Sequence, residues 1–247
     1  MRRKLLIATL LACLGSSAYA LTVDEITKKT TAARGDADTL NNLKTKILSG
    51  KTVMRGTEFP FTIQQKRPNM IRIETSIQGI QVVQAFDGET GWQISPMSGG
   101  QPQKMSIGQA GAFRSQADFD GPLMGFDKAG YNIELVGKED SEGTAVYHLK
   151  LSIADDSLRA ATGDVVTHIY VDAESFLEVR TSQQGDINGT PMTIDSYYGD
   201  YREVGGLMMY HSLATKMGGQ IVSQLNIEKI ELNTDIDDSV FQLPQEE

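Results

Sequence analysis

The chain has 247 residues, a single cysteine, and 32 Asp and Glu against 23 Lys and Arg, for a formal charge of -9. Such an acidic balance makes a poor partner for phosphate backbones or for anionic headgroups presented as a surface, so nucleic-acid binding is not expected. A lone cysteine excludes both an intramolecular disulfide and a multi-thiolate metal site.

Arg2, Arg3 and Lys4 precede an apolar stretch from Leu5 to Leu14 and the small-residue run Ser16-Ser17-Ala18-Tyr19-Ala20. This pattern predicts an export signal over residues 1–20, cleaved after Ala20. The stretch is about half the length of a membrane-spanning helix, and no later segment is long and apolar enough to span. A competing reading makes Leu11-Ala12-Cys13 a lipoprotein processing site, with the protein anchored through an acylated Cys13. Cleavage after Ala20 removes Cys13 and, by taking Arg2, Arg3 and Lys4 with it, lowers the formal charge from -9 to -12. Residues 21–247 show no linker and no repeat, and are expected to form one soluble domain, monomeric and periplasmic.

The domain opens with a predicted helix, capped by Thr22 or Asp24 and ended at Gly35-Asp36, and a short turn follows from Asp36 to Asn42. From Leu43 the period changes to two. Phe59, Phe61 and Ile63 alternate with polar neighbours, as do Ile71, Ile73 and Ile77. Turn signals at Gly50, Gly56, Arg67-Pro68-Asn69, Gly79, Asp87-Gly88 and Pro96 to Pro102 separate the runs, as in an antiparallel meander. A helical stretch from Gln109 to Ala117 and the loop Asp118-Phe119-Asp120-Gly121-Pro122 interrupt it. Strands resume from Ile133, with Tyr147, Leu149, Leu151 and Ile153 sharing a face opposite His148 and Lys150. Later strands are expected over Val165–Asp172, Phe176–Gln183, Met192–Tyr201, Leu207–Met217 and Gln220–Leu232, and Asp155 to Asp164 reads as a hairpin tip.

One apolar and one solvated face per strand predict a mainly β fold: a single large curved antiparallel sheet, an unclosed half-barrel. The N-terminal helix and the Gln109–Ala117 segment, as a lid, are its only covers, and they are too small to fill it. What remains is an apolar cavity, assigned to Phe59, Phe61, Ile63, Ile71, Ile73, Ile77, Trp92, Tyr147, Leu149, Leu151, Leu207, Met209 and Leu213. Trp92, Met70, Met192 and Met209 read equally as ordinary core or as adaptable lining.

The order Lys66-Arg67-Pro68-Asn69-Met70-Ile71-Arg72, Phe86-Asp87-Gly88, Gly91-Trp92 and Pro96, with the tail Asp237 to Pro244, resembles the outer-membrane lipoprotein carriers of the Lol type. The resemblance covers mainly the first hundred residues and the last dozen. It implies a half-barrel that shelters acyl chains of a lipoprotein or lipid, taken from an inner-membrane exporter and passed to an outer-membrane acceptor. It also implies a lid latch at Arg67, which period-two parity places on the same face as Phe59, Phe61 and Ile63. In the family a Phe and a Pro close the last strand, here Phe241 and Pro244. The alternative is a lipid-sensing or accessory domain of the same fold that serves an envelope regulator.

No enzyme is expected, since no Gly-x-Ser-x-Gly elbow, phosphate-cradling loop, His-Glu-x-x-His or thiol is present. No cofactor or metal is expected either. His148 and His168 read as isolated strand residues, and His211, sharing parity with Leu207, Met209 and Leu213, as a buried polar residue or a pH-sensitive cavity group. Asp118, Asp120, Asp235, Asp237 and Asp238 read as turn chemistry, and Asn188-Gly189-Thr190 as a hairpin turn.

Overall fold

Strand alternation divides side chains between two faces, and short turns let each strand pair with its predecessor. The computed structural model describes residues 21–244 other than 78, 122, 125–129, 155, 157, 158, 160–164, 188 and 189. The expected signal segment with Cys13, the Asn188-Gly189 turn and most of the Asp155–Asp164 tip lie outside the described residues.

The strands form one thirteen-stranded antiparallel sheet. Strands β1 (Thr45–Met54), β2 (Thr57–Lys66), β3 (Met70–Ile77), β4 (Ile80–Phe86), β5 (Gly91–Ile94) and β6 (Gln103–Lys104) step outward to one edge. From the other edge, β7 (Tyr131–Ser141), β8 (Thr144–Ile153), β9 (Thr167–Asp172), β10 (Glu178–Ile187), β11 (Thr190–Val204), β12 (Leu207–Met217) and β13 (Gln220–Leu232) step inward until β13 pairs with β1. The edge strands β6 and β7 do not pair with each other, so the sheet is an open half-barrel. Strands β5 and β6 are too short to show a period in the sequence.

Among the described residues three α-helices cover one face, here called the inner face. Helix α1 (Val23–Arg34) starts at a capping box, in which the Thr22 hydroxyl accepts from Glu25 N and the Glu25 carboxylate accepts from Thr22 N at 2.8 Å. Asp36 caps α2 (Ala37–Asn42) by accepting from Thr39 N at 2.9 Å. Ser106 and Gln109 form a second capping box on α3 (Ile107–Ala117). Among the described residues no helix is long and apolar enough to cross a membrane.

Two glycines mark where backbones approach too closely for a side chain. A Cβ on Gly50 would stand 2.1 Å from Asn226 O, at the bulge where β1 meets β13. On Gly91 it would stand 2.8 Å from Met105 Sδ and 3.2 Å from Ala110 Cβ, so glycine here lets α3 lie directly on β5.

The outer face of β1 to β5 is crossed by the C-terminal tail. Successive tail carbonyls meet successive strands: Thr234 O accepts from Thr45 Oγ1 (2.6 Å), Ile236 O from Lys66 Nζ (2.6 Å), Val240 O from Arg72 Nη1 (3.0 Å) and Phe241 O from Trp92 Nε1 (2.7 Å). Leu243 packs against Val83, Ala85 and Trp92. The tail is thus a strap across the back of the sheet; β13 ends at Leu232, and Phe241 and Pro244 do not close it.

Candidate functional site

The inner face divides into three stretches. Over β7 to β9, α1 lays Ile26 on Ile133, Leu149, Leu151, Ile169 and Val171, with Tyr147 at the margin stacked on Phe176. Toward the opposite edge, α3 sets Phe113 and Ala117 on Ile71 and Phe86. Between them Leu48, Phe61 and Ile227 form a separate cluster, flanked by the half-buried Ile63, Tyr210, Leu225 and Ile230.

Register shows that this middle stretch is continuous. Antiparallel partners share a face, so Ile73, Ile63, Leu48 and Ile230 form one row across four strands. Beside it runs the row Phe59, Thr52, Leu225, Leu213 and Tyr198. Ile77 continues the inner face of β3 beyond Ile73. Phe59, Ile63, Ile73, Ile77 and Leu213 are only half-buried, which makes this an apolar groove between two helix-sealed flanks.

One end of the groove is closed by a polar knot. Arg67, just beyond β2, donates from Nε to Leu43 O at 2.5 Å and from Nη2 to Leu40 O at 3.0 Å, tying down the end of α2. Its Nη1 and Nη2 also grip the Asp120 carboxylate, the latter at 2.5 Å. Lys46 Nζ donates to Phe119 O at 2.9 Å, and Arg34 Nη1 to Asp120 O at 2.9 Å. The Phe119 ring lies beneath Lys46 and Arg67, 4.1 and 4.6 Å from their charged groups, and packs with Leu40, Leu43 and Leu207, while Met209 lies against the same cluster. Three cations from α1, β1 and the β2–β3 turn therefore converge on Phe119-Asp120, directly after α3.

The electrostatics of the knot follow from crowding. Burial, then the charges of Arg34 and Arg67 against the opposing pull of Asp120 and Asp118, bring the Lys46 ammonium down to about 7. Burial raises the Asp118 carboxyl, although backbone hydrogen bonds from Asp120 and Gly121 resist the shift. Arg67 and Asp120 each keep almost a third of their side-chain surface exposed, so solvent screens their ion pair and the carbonyl bonds supply the geometry.

Deeper along the inner face is a cluster of tyrosines. Tyr210 meets Tyr198 edge-on with ring centroids 5.2 Å apart, and Tyr201 at 6.3 Å. Tyr201 donates its hydroxyl to Glu178 O at 2.7 Å. Tyr198 and Tyr201 are three residues apart and would face opposite ways in a regular strand; the positive φ of 51° at Asp200 between them interrupts the alternation. A bulge at Val179 does the same in β10, turning Glu178 to the side of Val171 while Arg180 follows Tyr170 outward.

The sequence-assigned residues distribute unevenly over these features. Ile71, Leu149 and Leu151 are sealed under helices, and Phe61 lies at the buried floor of the groove. Leu207 and Met209 belong to the knot. Trp92 corrects the expectation: it pairs with Ala85, opposite in parity to Phe86, and lies completely buried on the outer face beneath the strap. His148 and His168 are not isolated either, because Nε2 of one lies 2.7 Å from Nδ1 of the other on the outer face, with Glu139 3.2 Å from His148. No cluster of metal-ligating side chains is present among the described residues. His211 is buried, its Nδ1 3.0 Å from Met209 O. Sequence reasoning missed Lys46, although it shares parity with Leu48, and took Asp120 for turn chemistry alone.

No family model and no curated protein sequence matches the chain. Solved structures do match over nearly its whole length. A LolA superfamily protein from Nitrosomonas europaea aligns with 90% of this chain and 98% of its own at TM-score 0.61 and 16% identity. A putative outer membrane lipoprotein-sorting protein domain from Vibrio parahaemolyticus aligns with 89% and 95% at TM-score 0.60 and 12% identity. A DUF1329 family protein from Desulfovibrio piger aligns with 90% and 97% at TM-score 0.60 and 11% identity. At these identities the likeness speaks for the fold, and the fold of this chain is that of the LolA-like lipoprotein-sorting proteins.

Proposed function

We propose that the protein is a periplasmic carrier that shelters acyl chains of a lipid or lipoprotein in the inner groove, without catalysis, on the way to an outer-membrane acceptor. The observation that carries this reading is the pair of apolar rows left half-buried between α1 and α3, bounded at one end by the Arg67 knot. A dozen buried methylenes at roughly 0.8 kcal/mol each supply about 10 kcal/mol before losses. So large a gain opposes release, and a lid that competes for the same face lowers the net affinity. Arg67 acts as the latch of that lid, its guanidinium fork satisfied by two carbonyls and a carboxylate in the closed state. The export pattern over residues 1–20 supports the compartment.

Native mass spectrometry of protein purified from the periplasm tests the reading. Co-purified acyl lipid, or uptake of a triacylated lipopeptide from micelles, is the expected result. Protein that emerges bare and takes up no acylated ligand overturns it.

A further inference from the structure

The groove contains one region whose chemistry an acyl chain does not need. Tyr210 packs on the Leu48, Phe61 and Ile227 cluster, so the tyrosine corner adjoins the apolar rows. Beside it stands the half-buried Glu178, whose carboxyl has no hydrogen bond or ion pair among the described residues. The Tyr210 hydroxyl is likewise without a partner among them. Arg34 approaches from α1 closely enough for Glu178, Tyr201 and Tyr210 all to feel its charge. One turn earlier on the same helix face, Thr30 is only 1% exposed, and its hydroxyl has no partner among the described residues.

A buried hydroxyl without a partner is costly, and Thr30 beside the half-buried Glu178 and Tyr210 in an otherwise apolar concavity points to a ligand that satisfies them together. The set has a definite sign pattern. A carboxyl beside three tyrosine rings suits an ammonium, which gains from both the charge and the ring faces. A guanidinium with donors beyond those given to Asp120 O and Met124 Sδ suits a phosphate. Phenol and threonine hydroxyls suit ester oxygens. Burial raises the Glu178 carboxyl and Arg34 lowers it, so in the empty groove the acid is costly to ionise; a bound cation would remove that cost.

We infer that Thr30, Arg34, Glu178, Tyr198, Tyr201 and Tyr210 form a polar niche that reads the zwitterionic, ammonium-and-phosphate headgroup of a diacyl lipid lying in the apolar rows. This rests on the carrier reading above and specifies its cargo class.

The test measures binding of dioleoylphosphatidylethanolamine, dioleoylphosphatidylglycerol and dioleoylglycerol to the mature chain, lipids that share their chains and differ in headgroup. The parent is expected to bind the ethanolamine lipid at least tenfold tighter than the other two. Glu178→Gln and Tyr210→Phe are each expected to lose most of that preference. Thermal unfolding checks that both variants remain folded. Equal binding of all three lipids, a preference for the glycerol phospholipid, or a preference unchanged in folded Glu178→Gln overturns the niche and leaves the carrier intact. Failure of the parent to bind any of the three while it still takes up a triacylated lipopeptide overturns the niche alone, and failure with the lipopeptide as well overturns the carrier reading too.

Discussion

At β3 to β5 the same strands are covered on both faces, and the two covers are built differently. On the outer face Trp92 and Phe241 are each fully buried, and the strap is fixed along its length by hydrogen bonds to four strands. On the inner face α3 carries two glycines in its eleven residues, each costing a helix about 1 kcal/mol relative to alanine. The loop that follows α3 is secured at Phe119-Asp120 by a knot of partly exposed charges. A cover made of dry packing opens only with the fold, whereas one secured by screened polar contacts opens at modest cost. The comparison separates a structural face from a working one.

The largest expected effect lies on the structural side. Trp92→Ala should cost about 3–5 kcal/mol of stability in urea unfolding, by cavity formation and loss of the bond to Phe241 O. A cost below about 1 kcal/mol would show the strap to be dispensable and break the distinction.

Next comes the latch. Arg67→Leu should leave the urea midpoint close to the parent's but favour the open lid by about 2 kcal/mol, slowing release of a loaded lipopeptide roughly thirtyfold. Arg67→Lys should recover only part of the release rate, since an ammonium cannot fork between carbonyls and carboxylate. Release from a folded Arg67→Leu protein at the parent's rate would remove the latch from the account.

Ile73→Asp sharpens the comparison within one strand. A carboxylate placed in the row of Ile63 and Leu48 should reduce lipid uptake about tenfold or more, while Ser76→Asp, exposed on the outer face of β3, should not. Equal uptake by both folded variants would mean the inner rows are not the binding surface.

The smallest effect is a pH dependence. Lys46 is held at about 7 in the closed knot but returns toward its ordinary 10.5 when exposed. Between those values the open state binds more protons, so closure strengthens as pH rises from about 7 toward 10.5 and is flat in this group below 7. Release rates should therefore rise with pH over that window in the parent and less so in Lys46→Met. Arg34, Arg67, Asp120 and Asp118 face Lys46 in the knot, and burial raises the Asp118 carboxyl. Identical profiles for parent and Lys46→Met would exclude Lys46 as the source.

Legibility in the sequence follows the regularity of the backbone. Arg67 could be placed because β2 alternates without interruption up to its turn, and α1 and α2 because their caps are local signals. Trp92 could not be placed, since β5 has four residues and is covered on both faces, by α3 and by the tail. Glu178 and Tyr201 were hidden by the bulge at Val179 and the positive φ at Asp200, each of which reverses the parity that sequence reading assumes. Asp120 needed a partner fifty-three positions away to become more than a turn residue.

Hydrogen exchange with and without a bound triacylated lipopeptide tests the central claim most directly, since it reads both covers in one experiment. The amides of α2 and α3 should lose at least tenfold protection on loading, while those of β5 and of the tail around Phe241 stay unchanged. Loading that leaves α2 and α3 as protected as before, or that opens the strap together with them, would contradict the division into a fixed back and an opening front.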